Sequence, residues 1–146
     1  MRVIIKRHDG GISIMRLLDE EPDVEIEKWR EIHVGAYHSH RFMPDDSIPV
    51  DRTFRNAWCD VTPEAVIDID MTKARELHRA HMRRVRAPKL AALDIEMSRA
   101  FRDAAKRKRI EAKRQALRDV TADPAIDAAK TPEELKAVIP AVLRDA

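Results

Sequence analysis

The pattern of apolar and charged positions is most regular in the middle of the chain, between residues 69 and 120. Apolar side chains recur there every three or four residues, and charged residues fill most of the positions between them. This spacing places the apolar side chains on one face of an α-helix. The segment consists mainly of strong helix formers without glycine, and Asp70 is suited to cap its first turn. The pattern therefore predicts a long amphipathic helical arm.

Pro88 is the one residue that conflicts with a continuous helix in this arm. Proline has no amide hydrogen, and its ring clashes with the carbonyl group four residues earlier. We therefore expect a kink or a short break at Arg86 and Ala87, which gives two helices, at residues 70–85 and 88–118. The pattern leaves open whether these helices are collinear or folded back on each other.

Two runs of β-branched residues near the N-terminus, at residues 2–7 and 12–16, predict a β-hairpin. Gly10-Gly11 lies between them and supplies the positive φ that a tight turn needs. Because an isolated hairpin is only marginally stable, we expect it to pack on a helix or to join another strand. Residues 24–34 have near-helical apolar spacing and predict this helix, with Asp23 as its cap.

Residues 37–55 lack a regular period over most of their length. Pro44 and Pro49 indicate an extended surface connector, with short strands expected at residues 40–42 and 66–69. One helical turn should anchor the end of this connector to the arm. The predicted anchor residues are Phe54, Arg55 and Trp58.

Beyond the arm, the sequence predicts a turn at residues 121–127, around Pro124, and one last helix. The helix should begin at Thr131, because a capping threonine is followed by Pro132 and by acidic residues in the first turn. We expect it to reach about Arg144, and a bend at Pro140 is left open.

These elements predict an α+β fold that is mostly α: an N-terminal β-hairpin with a short helix, long kinked helices and a short C-terminal helix. We divide the chain into three parts. Residues 1–50 form a small α+β head with its connector, residues 51–120 the anchoring segment and the basic helical arm, and residues 121–146 the C-terminal turn and helix.

The formal net charge of +2 conceals a strong asymmetry. Residues 73–118 hold 16 Lys/Arg against 5 Asp/Glu, a net charge of +11, whereas the first 72 residues carry −6 and the last 28 carry −3. This basic face either pairs with acidic flanks or a neighbouring subunit, or binds nucleic acid through its phosphates, which is the alternative function. The face consists of Lys106, Arg107, Lys108, Arg109, Lys113 and Arg114.

No arrangement of residues predicts catalysis. The histidines and Cys59 lack a second ligand pair at a spacing typical of zinc sites. There is no glycine-rich phosphate loop and no serine in a nucleophile elbow, and Asp60 disfavours a thiolate at Cys59. No stretch approaches the roughly 18 apolar residues of a membrane span. We therefore predict a non-enzyme without metal, cofactor, small-molecule substrate or membrane partner.

Five segments between residues 51 and 143 carry a family resemblance. They are residues 51–58 (DRTFRNAW), 70–76 (DMTKARE), 86–94 (RAPKLAALD), 115–119 (QALRD) and 131–136 (TPEELK). These segments resemble a group of small tailed-bacteriophage proteins that are found among tail and tail-fibre genes and are often labelled tail assembly chaperone-like. The resemblance implies a structural or assembly role, in the virion or in the host cytoplasm during assembly. It leaves open whether the protein is retained in the particle.

Other phage tail or fibre proteins, or further copies of this chain, are the partners that the resemblance implies. The apolar face of the arm is the expected interface. Its large apolar side chains occur up to Phe101, and alanines dominate the face beyond that residue. The predicted partner-binding residues are Leu90, Leu93, Met97 and Phe101.

Overall fold

The computed structural model describes residues 1–18, 21–62 and 67–144. It is α+β and mostly helical, with 58% helix and 16% strand, an N-terminal β-hairpin, a kinked helix and short C-terminal helices. The predicted fold class is therefore confirmed. Contacts divide the chain into a first unit, Met1–Asp70, and a second unit, Met71–Ala146. The anchoring segment at residues 51–58 thus belongs to the first unit, whereas the sequence grouped it with the helical arm.

The predicted hairpin forms two strands of a three-stranded antiparallel sheet in the first unit. Strand β1 (Arg2–Arg7) lies between β2 (Ile12–Arg16) and β3 (Tyr37–Met43). Gly10 has a φ of 78° in the turn between β1 and β2, as the turn chemistry requires. Val3, Ile4 and Ile5 of the central strand are fully buried, so β1 lies at the centre of the hydrophobic core of this unit.

Strand β3 replaces the first part of the predicted surface connector. A short strand was expected at residues 40–42, but the pairing with β1 extends from Tyr37 to Met43. An isolated hairpin leaves one edge of β1 without hydrogen-bond partners, and a third strand satisfies those groups. The connector is correspondingly shorter. It begins with a turn of 3-10 helix at Asp45–Ser47.

One face of the sheet is covered by helix α1 (Pro22–Ile32). Ile26 forms a buried cluster with Val3 and Ile5, as expected for the predicted helix that packs on the hairpin. The predicted cap at Asp23 is wrong, because the helix already begins at Pro22. Proline is favoured at the first helical position, since its fixed φ suits a helix and its missing amide hydrogen is not needed there.

A short segment of the first unit carries the predicted anchor turn as a 3-10 helix at Arg55–Ala57. Strand β4 (Trp58–Cys59) follows it and pairs with β5 (Asp68–Ile69). The strand expected at residues 66–69 is found at Asp68–Ile69, whereas residue 66 lies outside the described residues. Asp68 accepts hydrogen bonds from the amides of Val61 and Thr62, at 3.0 and 2.7 Å. The bond from Thr62 contributes most to a lowered pKa of the Asp68 carboxyl.

The second unit is a helical hairpin of α2 (Met71–Arg99) and α3 (Ala104–Asp119). Of the two outcomes expected at Arg86 and Ala87, the kink is confirmed and the break is wrong, because α2 is a kinked helix that continues through Pro88. The division into helices at residues 70–85 and 88–118 is therefore wrong as well, and the chain folds back at residues 100–103 instead. A proline inside a helix removes one hydrogen bond, a loss that tertiary packing on both sides of it offsets. Asp103 caps α3 by accepting a hydrogen bond from the Lys106 amide at 2.9 Å.

The C-terminal segment consists of short helices rather than one longer helix. A 3-10 turn (Val120–Ala122) precedes α4 (Pro124–Ala128), α5 (Pro132–Ala137) and α6 (Ala141–Arg144). The predicted start is confirmed, since Thr131 Oγ1 accepts from the Glu134 amide at 3.2 Å. The predicted continuation to Arg144 is wrong, because Pro140 disfavours helical geometry at the residue before it.

Candidate functional site

Three of the four predicted partner-binding residues pack against other residues of the second unit, with Leu93 buried and Leu90 and Met97 half-buried. Leu93 is 8% exposed and belongs to a buried cluster that joins α2 to α3, and residues of α6 pack against this cluster. The sequence therefore identified an apolar helical face, but the same chain covers much of it. The cluster consists of Leu93, Ala100, Ile110 and Leu117, with Leu90, Met97, Val142 and Leu143 packed against it.

Phe101, the fourth predicted partner-binding residue, remains 75% exposed. It lies in the turn between α2 and α3, next to the buried Ala100. A side chain this exposed contributes little to folding, because most of its apolar surface stays in contact with water. Phe101 is therefore the predicted interface residue that the structure leaves accessible to a partner.

A groove of about 610 Å³ lies between the end of α2 and α3, where its lining reaches from Ala104 to Gln115. Met97 lines it from α2, and the small side chains of Ala104 and Ala112 leave space on α3. Arg107, Lys108 and Glu111 also line this groove, so it combines apolar surface with charges of both signs. The alanines that follow Phe101 in the sequence thus create a concave surface.

The basic face divides into exposed and paired residues. Arg114 contacts Asp94 at 3.0 Å and Glu111 at 2.8 Å, and Arg118 contacts Glu111 at 2.9 Å. Five residues of this face are exposed and have no ion pair within the described part of the chain. They are Lys106, Arg107, Lys108, Arg109 and Lys113.

Glu111 stays negatively charged near neutral pH. The hydrogen bond from Arg118 holds the pKa of the Glu111 carboxyl below its usual value, and the charges of Arg114 and Arg118 act in the same direction. Glu111 therefore offsets positive charge in the second half of α3. The uncompensated charge is concentrated in the first half, close to the turn that carries Phe101.

The predicted anchor residues lie together in the first unit but differ in exposure. Phe54 and Trp58 are buried, at 4% and 5% exposed, whereas Arg55 is exposed. Arg55 and Trp58 line a cavity of about 480 Å³. Arg7 contributes to the same cavity, and sequence reasoning missed it because residues 2–7 indicated only a strand.

Several histidines make structural contacts within the folded chain. His78 is buried on α2, and its Nε2 lies 2.9 Å from the Val138 carbonyl oxygen. His33 stacks on Trp29, with ring centroids 4.2 Å apart. Across residues 1–18, 21–62 and 67–144, no group of three or more His, Cys, Asp or Glu could hold a metal ion.

None of the helices in the described ranges is apolar enough over sufficient length to cross a bilayer. Comparisons of the chain with models of protein families, with curated proteins and with solved structures found no match.

Proposed function

We propose that this protein is a structural or assembly protein of a tailed bacteriophage that acts through protein–protein contacts and without catalysis. Phe101 carries this proposal, because at 75% it is the most exposed large apolar side chain described in the second unit, ahead of Ile95 at 54%, whereas Leu93 is packed. Exposed aromatic side chains on rigid elements often dominate the binding energy of protein interfaces. The resemblance of residues 51–143 to small phage tail proteins supports the same function.

The partner in this proposal is another tail or tail-fibre protein, or a second copy of the chain. The two would meet in the virion or in the host cytoplasm during assembly. Phe101 would be the anchor of the interface, and the groove lined by Met97 and Ala104 would accommodate the neighbouring part of the partner. Both groove residues lie at the end of the hairpin that carries Phe101.

Replacing Phe101 by aspartate should abolish capture of the phage partner. The substitution removes an apolar anchor and introduces a charge that the interface would have to desolvate. A loss of about 2 kcal/mol or more, roughly a thirtyfold weaker affinity, is typical of such anchors. The measurement is co-purification of tagged protein from infected cells at high salt, with mass spectrometry identifying the retained tail or fibre protein.

Val50→Asp is the matched control, because Val50 is an apolar residue of the first unit that is 98% exposed. This variant gains the same charge and should still retain the partner. Equal retention by the Phe101→Asp variant, with an unchanged circular dichroism spectrum, would contradict the proposal. Mass spectrometry of purified particles would show in addition whether the protein stays in the virion.

Nucleic-acid binding is the second candidate function, and the five exposed cations of α3 without an ion pair in the described residues favour it. Binding through phosphates depends steeply on salt, because each neutralised phosphate releases counterions. Five duplex contacts would give a slope of log K against log salt of about −4.5.

Substituting Lys108 and Arg109 together by glutamine should reduce the magnitude of this salt slope by about 2. Two phosphate contacts would be lost, which a fluorescence anisotropy titration at several salt concentrations measures. The same double substitution at Lys130 and Arg144, two exposed cations of the C-terminal segment, should leave the slope unchanged. Wild-type binding with a slope near zero, or no binding, would exclude this candidate.

A further inference from the structure

The cavity of about 480 Å³ in the first unit lies along the edge of strand β2. Three consecutive residues of β2, at positions 12 to 14, line it together with residues of the neighbouring segments. Successive side chains of a strand point to opposite faces of a sheet. A cavity that touches three successive residues therefore follows the edge of the strand and not one of its faces. The lining residues are Arg7, Ile12, Ser13, Ile14, Arg55, Asn56 and Trp58.

This edge of β2 is open in the described part of the chain. The strand order is β2-β1-β3, so β2 is an outer strand and pairs with β1 on one side only. In an antiparallel pair, the backbone groups of alternate residues point away from the neighbouring strand. Some amide and carbonyl groups at residues 12–14 therefore point outwards, and such groups are a template for an added strand.

Arg7 is held in place at this cavity. Its Nε donates to Asp9 Oδ1 at 3.1 Å, and its Nη1 donates to Ser13 Oγ at 3.4 Å. The guanidinium group also lies so close to Gly11 that a Cβ atom there would come within 2.3 Å of Nη2. Because the side chain is already ordered, a ligand that contacts it loses less binding energy to immobilisation.

Hydrogen-bond donors with positive charge dominate the polar part of the cavity. Arg55 is exposed and has no ion pair among the residues that the structure describes. Asn56 adds an amide, and none of the described residues that line the cavity carries a carboxylate, although Asp9 pairs with Arg7 from outside this lining at 3.1 Å. Guanidinium groups form their strongest hydrogen bonds with carboxylates, so these donors favour an acidic ligand.

The two faces of β2 differ in chemistry. Ser13, with Arg7 beside it, lies on one face, whereas Ile12 and Ile14 lie on the other. An added strand presents alternate side chains to these two faces. A segment that alternates acidic and apolar residues would therefore place carboxylates beside Arg7 and apolar groups beside the two isoleucines.

We propose that the β2 edge binds an extended acidic segment of a partner protein by strand addition. Backbone hydrogen bonds to β2 provide affinity, and the charge of Arg55, together with the guanidinium donors of Arg7, provides the preference for acidic sequences. This inference goes beyond the proposed function and does not depend on Phe101, which belongs to the second unit.

The probe is a hexapeptide of alternating glutamate and valine with both ends blocked. In a Trp29→Phe background, Trp58 in the cavity wall is the only tryptophan, so its emission reports binding. We expect a saturable change in emission and an affinity about tenfold weaker for Arg55→Gln. Gly11→Ala, which displaces the Arg7 guanidinium, should also weaken binding. Arg52→Gln, at an exposed arginine that does not line the cavity, is the matched control and should bind like the parent protein.

Two N-methylated forms of the peptide test strand addition directly. Methylation at odd or at even positions removes different amide donors, and only alternate amides face β2. One form should therefore bind like the parent peptide, while the other loses binding. The proposal is overturned if both forms bind equally, if acetate at the same concentration gives the same response, or if no response occurs up to about 1 mM peptide. The Phe101→Asp variant should bind the peptide normally, which separates this test from that of the proposed function.

Discussion

Replacing Leu93 by alanine should lower the free energy of unfolding of the isolated protein by about 2–5 kcal/mol. Leu93 is 8% exposed and packs with Ala100, Ile110 and Leu117. The substitution removes buried methyl groups and leaves a cavity between α2 and α3. Denaturant titration followed by circular dichroism measures the change as a lower transition midpoint.

Phe101→Ala is the matched control for this substitution, because both residues belong to the apolar pattern of the arm. At 75% exposure, Phe101 should contribute no more than about 0.5 kcal/mol to the stability of the isolated chain. Equal and small effects of the two substitutions would contradict the packing of Leu93 within its own unit. In that case Leu93 would again be a candidate for the partner interface.

Replacing Pro88 by alanine should raise the free energy of unfolding by about 2 kcal/mol. Proline in a helix interior is roughly 3 kcal/mol less favourable than alanine, because it removes a hydrogen bond and its ring clashes with the preceding turn. The alanine variant loses about 0.4–1 kcal/mol of this gain, since its unfolded chain has more conformational freedom. Pro88 is exposed, so the substitution removes few packing contacts. Thermal denaturation measures the gain as a higher midpoint.

Pro140→Ala serves as the control for Pro88, because Pro140 lies between α5 and α6 and outside any helix. There the substitution removes only the restriction on the unfolded chain, and stability should fall by about 0.4–1 kcal/mol. A loss of stability in the Pro88→Ala variant would be the opposite of the expected result. It would show that the two halves of α2 pack correctly only when the helix is kinked.

These predictions bear on where a partner can bind to the second unit. The amphipathic pattern indicates a face that needs a cover, but it does not indicate which polypeptide supplies the cover. In the structure, α3 and α6 pack over Leu90, Leu93 and Met97. The accessible surface therefore includes the hairpin end with Phe101, the half-exposed Ile95, the adjoining groove and the α3 cations that have no ion pair among the described residues.

The sequence alone determined the features that depend on local chemistry. The hairpin follows from two β-branched runs and Gly10, and the start of α5 follows from Thr131 with its capping hydrogen bond. The amphipathic period placed Leu93 on the apolar face of the arm. Such features are predictable because the residues that cause them lie within a few positions of one another.

Only the tertiary structure decided the features that depend on distant residues. Strand β3 extends to seven residues because β1 has a second edge to satisfy, and α2 continues through Pro88 because packing on both sides outweighs one lost hydrogen bond. The placement of Arg7 and Arg55 at one cavity, 48 positions apart in the chain, likewise has no local signal. Each outcome depends on the free energy of contacts between segments, which a local pattern of residues does not contain.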